Sequence, residues 1–516
     1  MPSTLYRRGR VRSPEHPAAT ALLVVDGRVS WLGAEDAAAR FLEDVDTVVD
    51  LEGDLVLPGF VDAHAHLSHT GLGMQGVDLA GTRTVTEALD LVAAGARRSP
   101  GRPVFAHGWQ EQDWTRERAM TSAELDRAAG GALVYASRID GHSAVVSSAL
   151  AALSGADGLD GWSPSGFVVR DAKNAARAAY DASRSASERR ADIETALRAA
   201  AAQGVVAVHE CGGPLLTSAE DFADVLDLGR RPDLPETVGY WAEAVTDPEQ
   251  ARALVALHGA RGLGGDLNID GSIGSHTALL REDYTDRAGC RGTAYRDSTA
   301  VRDHVAACAA AGVQSGFHVI GDAAMDLVLE GYVRAAEIVG VDAVHRSRPR
   351  LEHAEMVDAA GIATMARLGL GASVQPAFDA YWGGREGLYA ERLGAERGVA
   401  TNLLAAFSAA GVRLGLGSDS PVTPFAPWAA VRAAVEHREP PQRIDARTAL
   451  HAHTVGGQEL SGTGGGALEV DSTATFAVWR VEDVGPDGLP VLGGGAPLPE
   501  CRLTVRAGEV LHRRPA

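Results

Sequence analysis

Eight short apolar runs, each leading into alanine-rich sequence, constrain the fold of this chain more than any other feature. They lie at residues 55–63, 205–208, 237–241, 267–269, 313–317, 349–352, 369–374 and 412–417. A strand covered on both faces reads as unbroken apolar sequence, and the return to a parallel neighbour needs a helix. Runs alternating with helical stretches are therefore βαβ units, and eight of them are what a (β/α)8 barrel needs. The expected class is α/β, a TIM-like barrel over residues 58–464. The stretch between the first two runs is too long for one helix. Residues 71–200 are expected to form an insertion after strand 1, with strand-like pieces at VFAHGW from Val104 and LVYAS from Leu133.

The two ends have a different texture. TALLVVDGRVSWLG holds two β-rich runs joined by Asp26-Gly27, a strong hairpin signal. Similar alternation returns only around 471–483 and 502–511. Two separate appendages of this size would each be too small to bury a core. Residues 1–57 and 465–516 are expected to build one composite β-sandwich.

Charge and cysteine usage narrow the partners. With 68 acidic against 48 basic residues, the net charge of -20 disfavours nucleic acid and anionic membranes, both of which attract basic surfaces. A small-molecule substrate is compatible with that charge. The four cysteines are widely spaced and form no CxxC, so a reducing, cytoplasmic setting is expected. The arginines near the N-terminus precede no apolar signal region, and no run is apolar for long enough to span a bilayer.

In a barrel of this kind functional groups gather at the C-terminal ends of the strands. The first run ends in LPGFVDAHAHLSHT. In an extended strand residues i and i+2 share a face, so His64 and His66 project together, with Asp62 in phase. Paired neutral imidazoles suit a first-row metal ion such as zinc. The fifth run delivers His318, the sixth His353 and the eighth Asp419. One strand-end histidine is ordinarily a solvated or core residue; five such groups at matching positions point to a metal centre.

Longer segments extend the pattern. LPGFVDAHAHL, GWQEQDW from Gly108, IDGHSAVVSSAL from Ile139, GVVAVHECGG from Gly204, IDGSIGSHTALL from Ile269, FHVIGDAAMD from Phe317, LEHAEMV from Leu351 and GLGSDSPVTPFAPW from Gly415 cover nearly the whole chain. In this order they resemble the amidohydrolase superfamily, and within it the YtcJ-like branch, the family 3 type that includes deformylases of N-substituted formamides. The resemblance implies that His64 and His66 bind a divalent metal, most often zinc, near His318, His353 and Asp419. Such a metal lowers the pKa of bound water from about 15.7 to about 7, supplying hydroxide at neutral pH. Asp419 would then serve as general base and afterwards as general acid. The metal, or His353 as a donor, would stabilise the oxyanion.

One departure bears on the metal count. Many binuclear members carry a strand-4 lysine, carboxylated so as to bridge two metals, in a K-x-x-x-D-G setting. Here GGDLNIDGS puts Asp266 at that place, with no lysine nearby. The expectation is therefore one ion rather than two, on His64, His66, His318 and Asp419, with His353 beside them as catalytic donor or ligand. Glu210, Cys211 and Asp266 are the alternative bridging groups. His142, Asp270, Trp109 and Phe378 are the expected substrate contacts, whereas Lys173 reads as a solvated surface lysine. A homodimer is what the resemblance implies for assembly.

These features point to a metal-dependent hydrolase of non-peptide C–N bonds, acting on a small amide, N-acyl or N-formyl compound. The alternative enzyme is a deaminase of an aminated heterocycle, for which Glu210, Glu243 or Glu355 would have to protonate a ring nitrogen. A non-catalytic barrel is the third reading, and the intact set of histidines and Asp419 argues against it.

Overall fold

Pro58 and Gly59 divide the first apolar run between two sheets. Leu55–Pro58 is a strand of the terminal β-layer, and Phe60–Ala65 is the first strand of the barrel. Gly59 lies where the chain crosses between them against Val206. A Cβ there would stand 2.4 Å from that side chain, so only glycine fits the close approach.

The computed structural model describes residues 2–98, 100–115 and 118–515. Its barrel strands are β1 (Phe60–Ala65), β2 (Val205–Gly212), β3 (Glu236–Trp241), β4 (Gly262–Leu263), β5 (Gln314–Val319), β6 (Arg350–His353), β7 (Gly371–Val374) and β8 (Leu414–Leu416). They pair in parallel in chain order. The two edges meet at a parallel bridge between Ala65 and Ser420, which leaves the barrel nearly closed. Every residue of β1, β2, β5, β6, β7 and β8 is buried, which is why these runs lack a polar face.

The fourth strand departs from the expected position. Of residues 267–269 only Asn268 pairs, in a single bridge to His318, and the strand proper is Gly262–Leu263. Gly264 packs its backbone on that of Gly316, and Gly265 takes a left-handed φ of +66° that ends the strand early. Asp266 therefore follows the strand and stands at the barrel mouth.

Both termini build the β-layer. One sheet orders Arg28–Gly33, Ala21–Val25, Ser3–Arg7 and Thr47–Asp50; the other joins Arg10–Val11 and Leu55–Pro58 to Phe476–Arg480, Glu500–Arg506 and Glu509–Arg513. Tyr6, Leu22, Val56, Phe476 and Val505 pack in one cluster between them. Trp479 ties this layer to the barrel, its ring 5.6 Å from those of Phe60 and Trp428.

The insertion carries a five-stranded sheet of its own, ordered Phe167–Val169, Ser143–Val146, Val134–Arg138, Val104–Trp109 and Val77–Asp78. The helix Arg170–Ala182 buries Ala172, Ala176 and Tyr180, a stripe at four-residue spacing. Lys173 and Arg177, each one residue further on, occupy the adjoining face and line the barrel mouth. Among the described residues no helix is long and apolar enough to cross a membrane.

Candidate metal centre

His64, His66, Asp266, His318, His353 and Asp419 converge at the C-terminal ends of the strands. His353 and Asp419 have left-handed backbones, φ 65° and 55°, at the points where their strands stop. That region is sparsely used by residues with a side chain, although His and Asp are among those that tolerate it. Asp62, in phase with the two histidines, accepts hydrogen bonds from the amides of Ser418 (3.0 Å) and His64 (3.2 Å). It stitches β1 to the loop after β8 and stays out of the ligand cluster.

Asp266 stands at the centre. Its Oδ1 lies 3.4 Å from His64 Nε2, 3.3 Å from His318 Nδ1 and 3.8 Å from His353 Nε2, and its Oδ2 lies 3.2 Å from His66 Nε2. Asp419 Oδ1 is 3.5 Å from His64 Nε2 and 3.2 Å from His66 Nε2. A tetrahedral zinc with ligands at roughly 2.0–2.1 Å spaces those ligand atoms about 3.3 Å apart. The Nε2 atoms of His64 and His66 stand at about that spacing from the carboxylates of Asp266 and Asp419. His318 groups with Asp266 and His353 instead, so the geometry sets Asp266, rather than His318, beside the β1 pair.

Each imidazole is fixed by its second nitrogen. His64 Nδ1 donates to Glu352 Oε2 (2.9 Å), His66 Nδ1 to the carbonyl of Cys211 (2.9 Å) and His353 Nδ1 to Gln375 Oε1 (2.9 Å). Such outer partners fix the tautomer and ring orientation of metal-binding histidines. Glu352 is held by Arg350 at 2.6 and 2.7 Å, and Arg350 also donates to the Ala63 carbonyl and to His209 Nδ1. Burial opposes ionisation of Glu352, yet the Arg350 charge and His64 outweigh it and hold the carboxyl down at about 2. The same contest holds at Asp266, where burial is overcome by His64 and by hydrogen bonds from His318, His353 and His66, leaving the carboxyl well below its usual range. Asp419 is likewise held low against burial by His64, His66 and His353. Two carboxylates kept ionised in a buried site suit a cation.

The other candidates separate clearly. Cys211 Sγ is 3.4 Å from His64 Nδ1, on the side away from Nε2, and burial with the neighbouring Glu352 pushes the thiol up, so it stays protonated. Glu210 accepts from the Leu67 amide at 2.7 Å and belongs to none of the ligand groups. Asp270, expected at the substrate, accepts from the amides of Leu279, Ile320 and Gly321 and so pins two loops together. Trp109 is fully buried, donates to the Ala136 carbonyl and stacks on Trp114 within the insertion's core, away from the cavity. Phe378 does line the site, its ring parallel to that of His353 at 6.0 Å. His142 also lines it, 5.9 Å from the His318 ring. Lys173, expected in solvent, sits half-buried in the wall of a cavity of about 540 Å³ that opens onto His66, Asp266, His318, His353 and Asp419. Glu352 and Gln375 were not among the expected site residues: Glu352 lies one strand position before His353 and Gln375 just after β7, and the histidine each one holds shows only in the fold.

Known proteins share this architecture. The Amidohydrolase family matches residues 47–512. The chain is 25% identical to N-substituted formamide deformylase of Arthrobacter pascens over 91% of each chain, and 25% identical to the putative amidohydrolase YtcJ of Bacillus subtilis over 80% of each. An uncharacterized metal-dependent hydrolase from Pyrococcus furiosus superposes with a TM-score of 0.72 at 25% identity, covering 92% of this chain and 98% of that one. With this cluster at the mouth of its barrel, the chain belongs to the amidohydrolase family and is a metal-dependent hydrolase of carbon–nitrogen bonds.

Proposed function

We propose that His64, His66, Asp266 and Asp419 hold one divalent cation, zinc by the donor set, and that Asp266, His318 and His353 hold a second beside it. The substrate is a small amide, N-acyl or N-formyl compound, in keeping with the formamide-directed relative. One observation carries this reading: His64 Nε2 is buried without a hydrogen-bond partner and faces Asp266 and Asp419. Other buried atoms, such as His209 Nε2 and Trp428 Nε1, also lack a partner, but this nitrogen alone among those three faces two carboxylates at 3.4 and 3.5 Å, as a ligand atom would.

A divalent cation bound there would supply Lewis acidity toward a carbonyl oxygen and acidify a water. Asp419 is then the proton carrier. It takes a proton from the attacking water through its carboxylate and delivers that proton to the leaving nitrogen, which departs as a neutral amine. Gln375 fixes the His353 ring so that Nε2 faces the cavity, where Phe378 stacks on its face and orders it. Replacing Asp419 with Asn is expected to lower kcat by about 10²–10⁴. The check is turnover of N-formyl and N-acyl amines by zinc-loaded protein, and undiminished turnover by the variant would refute the assignment.

A deaminase is the second reading, favoured by Glu355. This buried acid lines the apolar end of the site, and burial pushes it up to about 7 despite Tyr389, His353 and Asn402. It can carry a proton for a ring nitrogen near neutrality. Ammonia release from aminated heterocycles, lost in Glu355→Gln, would select this reading over amide hydrolysis.

A further inference from the structure

The cavity above the metal centre has two chemically distinct arms. One runs past His353 and is mostly apolar, walled by Ile139, Ile273, Ile320, Phe378 and Trp382, with the acid of Glu355 and the Arg138–Asp140 pair at its edge. The other opens between the insertion and the loop after β4 and carries Arg138, Arg170, Lys173, Arg177 and Arg296. Outside the ligand cluster only Asp140, Asp160 and Asp171 oppose them there. In a chain of net charge -20, this wall is locally cationic.

Most of those cations are already satisfied. Arg138 pairs with Glu111 and Asp140, Arg170 with Asp160, and Arg177 with Asp181. Among the described residues Lys173 and Arg296 have no carboxylate within ion-pair distance. Each donates to a backbone carbonyl instead, Lys173 to Gly141 at 3.3 Å and Arg296 to Asn268 at 3.1 Å. Most of their N–H donors remain unused. Burial lowers the pKa of both, and at Lys173, brought down to about 8, Arg177 adds repulsion that Asp140 and Asp266 only partly offset. Asp171 is exposed at the rim and pairs with neither.

The two carbonyls place both cations on one side of the centre. Asn268 pairs in register with His318, and Gly141 precedes His142, whose ring lies 5.9 Å from that of His318. Half-buried cations without a counter-ion are costly unless a ligand brings one.

We propose that Lys173 and Arg296 form a clamp for a carboxylate on the substrate, on the His318 side of the metal centre, while the apolar arm takes the acyl end. The substrate class is thus an amide bearing an apolar acyl group and a carboxylate on its nitrogen side. This rests on the amide-hydrolase reading for the bond that is cut, but the clamp itself is a binding property.

The test is binding of 3-benzoylpropionate, in which carbon replaces the scissile nitrogen, against its neutral amide, by calorimetry on zinc-loaded full-length protein. The carboxylate should bind about tenfold tighter or more, since the charge-assisted bonds form in a partly desolvated wall. The double substitution Lys173→Met with Arg296→Met should remove most of that preference, with zinc content and affinity for the neutral amide unchanged. Lys173→Arg alone should retain it. Equal binding of the two probes, binding of neither, or a preference that survives in the double variant because the carboxylate sits on the metal would each overturn the clamp. Failure of the hydrolase reading would look different: charge-dependent binding intact, with no turnover of any amide or formamide.

Discussion

His64 donates through Nδ1 to Glu352, and Glu352 is gripped by Arg350; all three side chains are fully buried. The Arg350 guanidinium also lies 4.3 Å over the Tyr240 ring. This chain of contacts makes a carboxylate permanent beneath the metal site and turns the imidazole so that Nε2 faces upward. Glu352→Gln keeps the shape and removes the charge. It is expected to weaken zinc affinity by about 10–100-fold, measured by competition with a chromophoric chelator; an unchanged affinity would mean Glu352 serves only to satisfy Arg350. At this scale the sequence was informative where chemistry stands at a strand end, as with His64, His66, His318, His353 and Asp419. It was uninformative where a partner is remote: Glu352 lies 288 positions from His64. Lys173 was misread for a related reason, since the helix that carries it presents that face to the barrel mouth, and only tertiary packing shows this.

Among the elements, β1 is pinned from below by a histidine that never meets the cavity. His453 Nδ1 donates to the Val61 carbonyl at 2.9 Å, with its ring 5.1 Å from that of Phe60. Burial lowers its pKa to about 4. The folded chain therefore keeps this ring neutral where the unfolded chain, with a pKa near 6.5, would protonate it. The unfolded state binds more protons between those values, so stability is fully present above about pH 6.5 and falls as pH drops toward 4, by on the order of 3 kcal/mol. Urea unfolding of wild type and His453→Gln across pH 4–7 checks this by the difference in slope. Equal slopes would show that the ring is not the titrating group. The strands themselves were largely legible, because burial on both faces leaves a continuous apolar run. β4 was not: its two residues are too few to make a run, and the glycines that end it early gave no periodicity to read.

At the scale of the whole molecule, the proposed metal centre would draw ligands from the ends of β1, β4, β5, β6 and β8 and so fasten the barrel across its mouth. The termini close the opposite approach, where a Cβ at Gly204 would stand 2.3 Å from the Trp479 ring. A ligand that binds only the folded state stabilises it by mass action. Removing zinc with a chelator should therefore lower the Tm and re-addition should restore it, read by calorimetry; a Tm indifferent to chelation would argue that the strand ends are held by protein contacts alone. The double use of both termini in one sandwich was readable from their matching β-rich texture. Asp266 was readable only as one of three alternative bridging groups beside a single-ion site; that it stands among His64, His66, His318 and His353 follows from the early end of β4, which no run of sequence marks. The most direct test is metal content per chain of zinc-supplemented wild type and Asp266→Ala, measured by elemental analysis. About two equivalents in wild type, with both lost in the variant, is the predicted result, since each proposed site takes one ligand from this carboxylate. A variant that retains the full wild-type complement would contradict a centre built on Asp266.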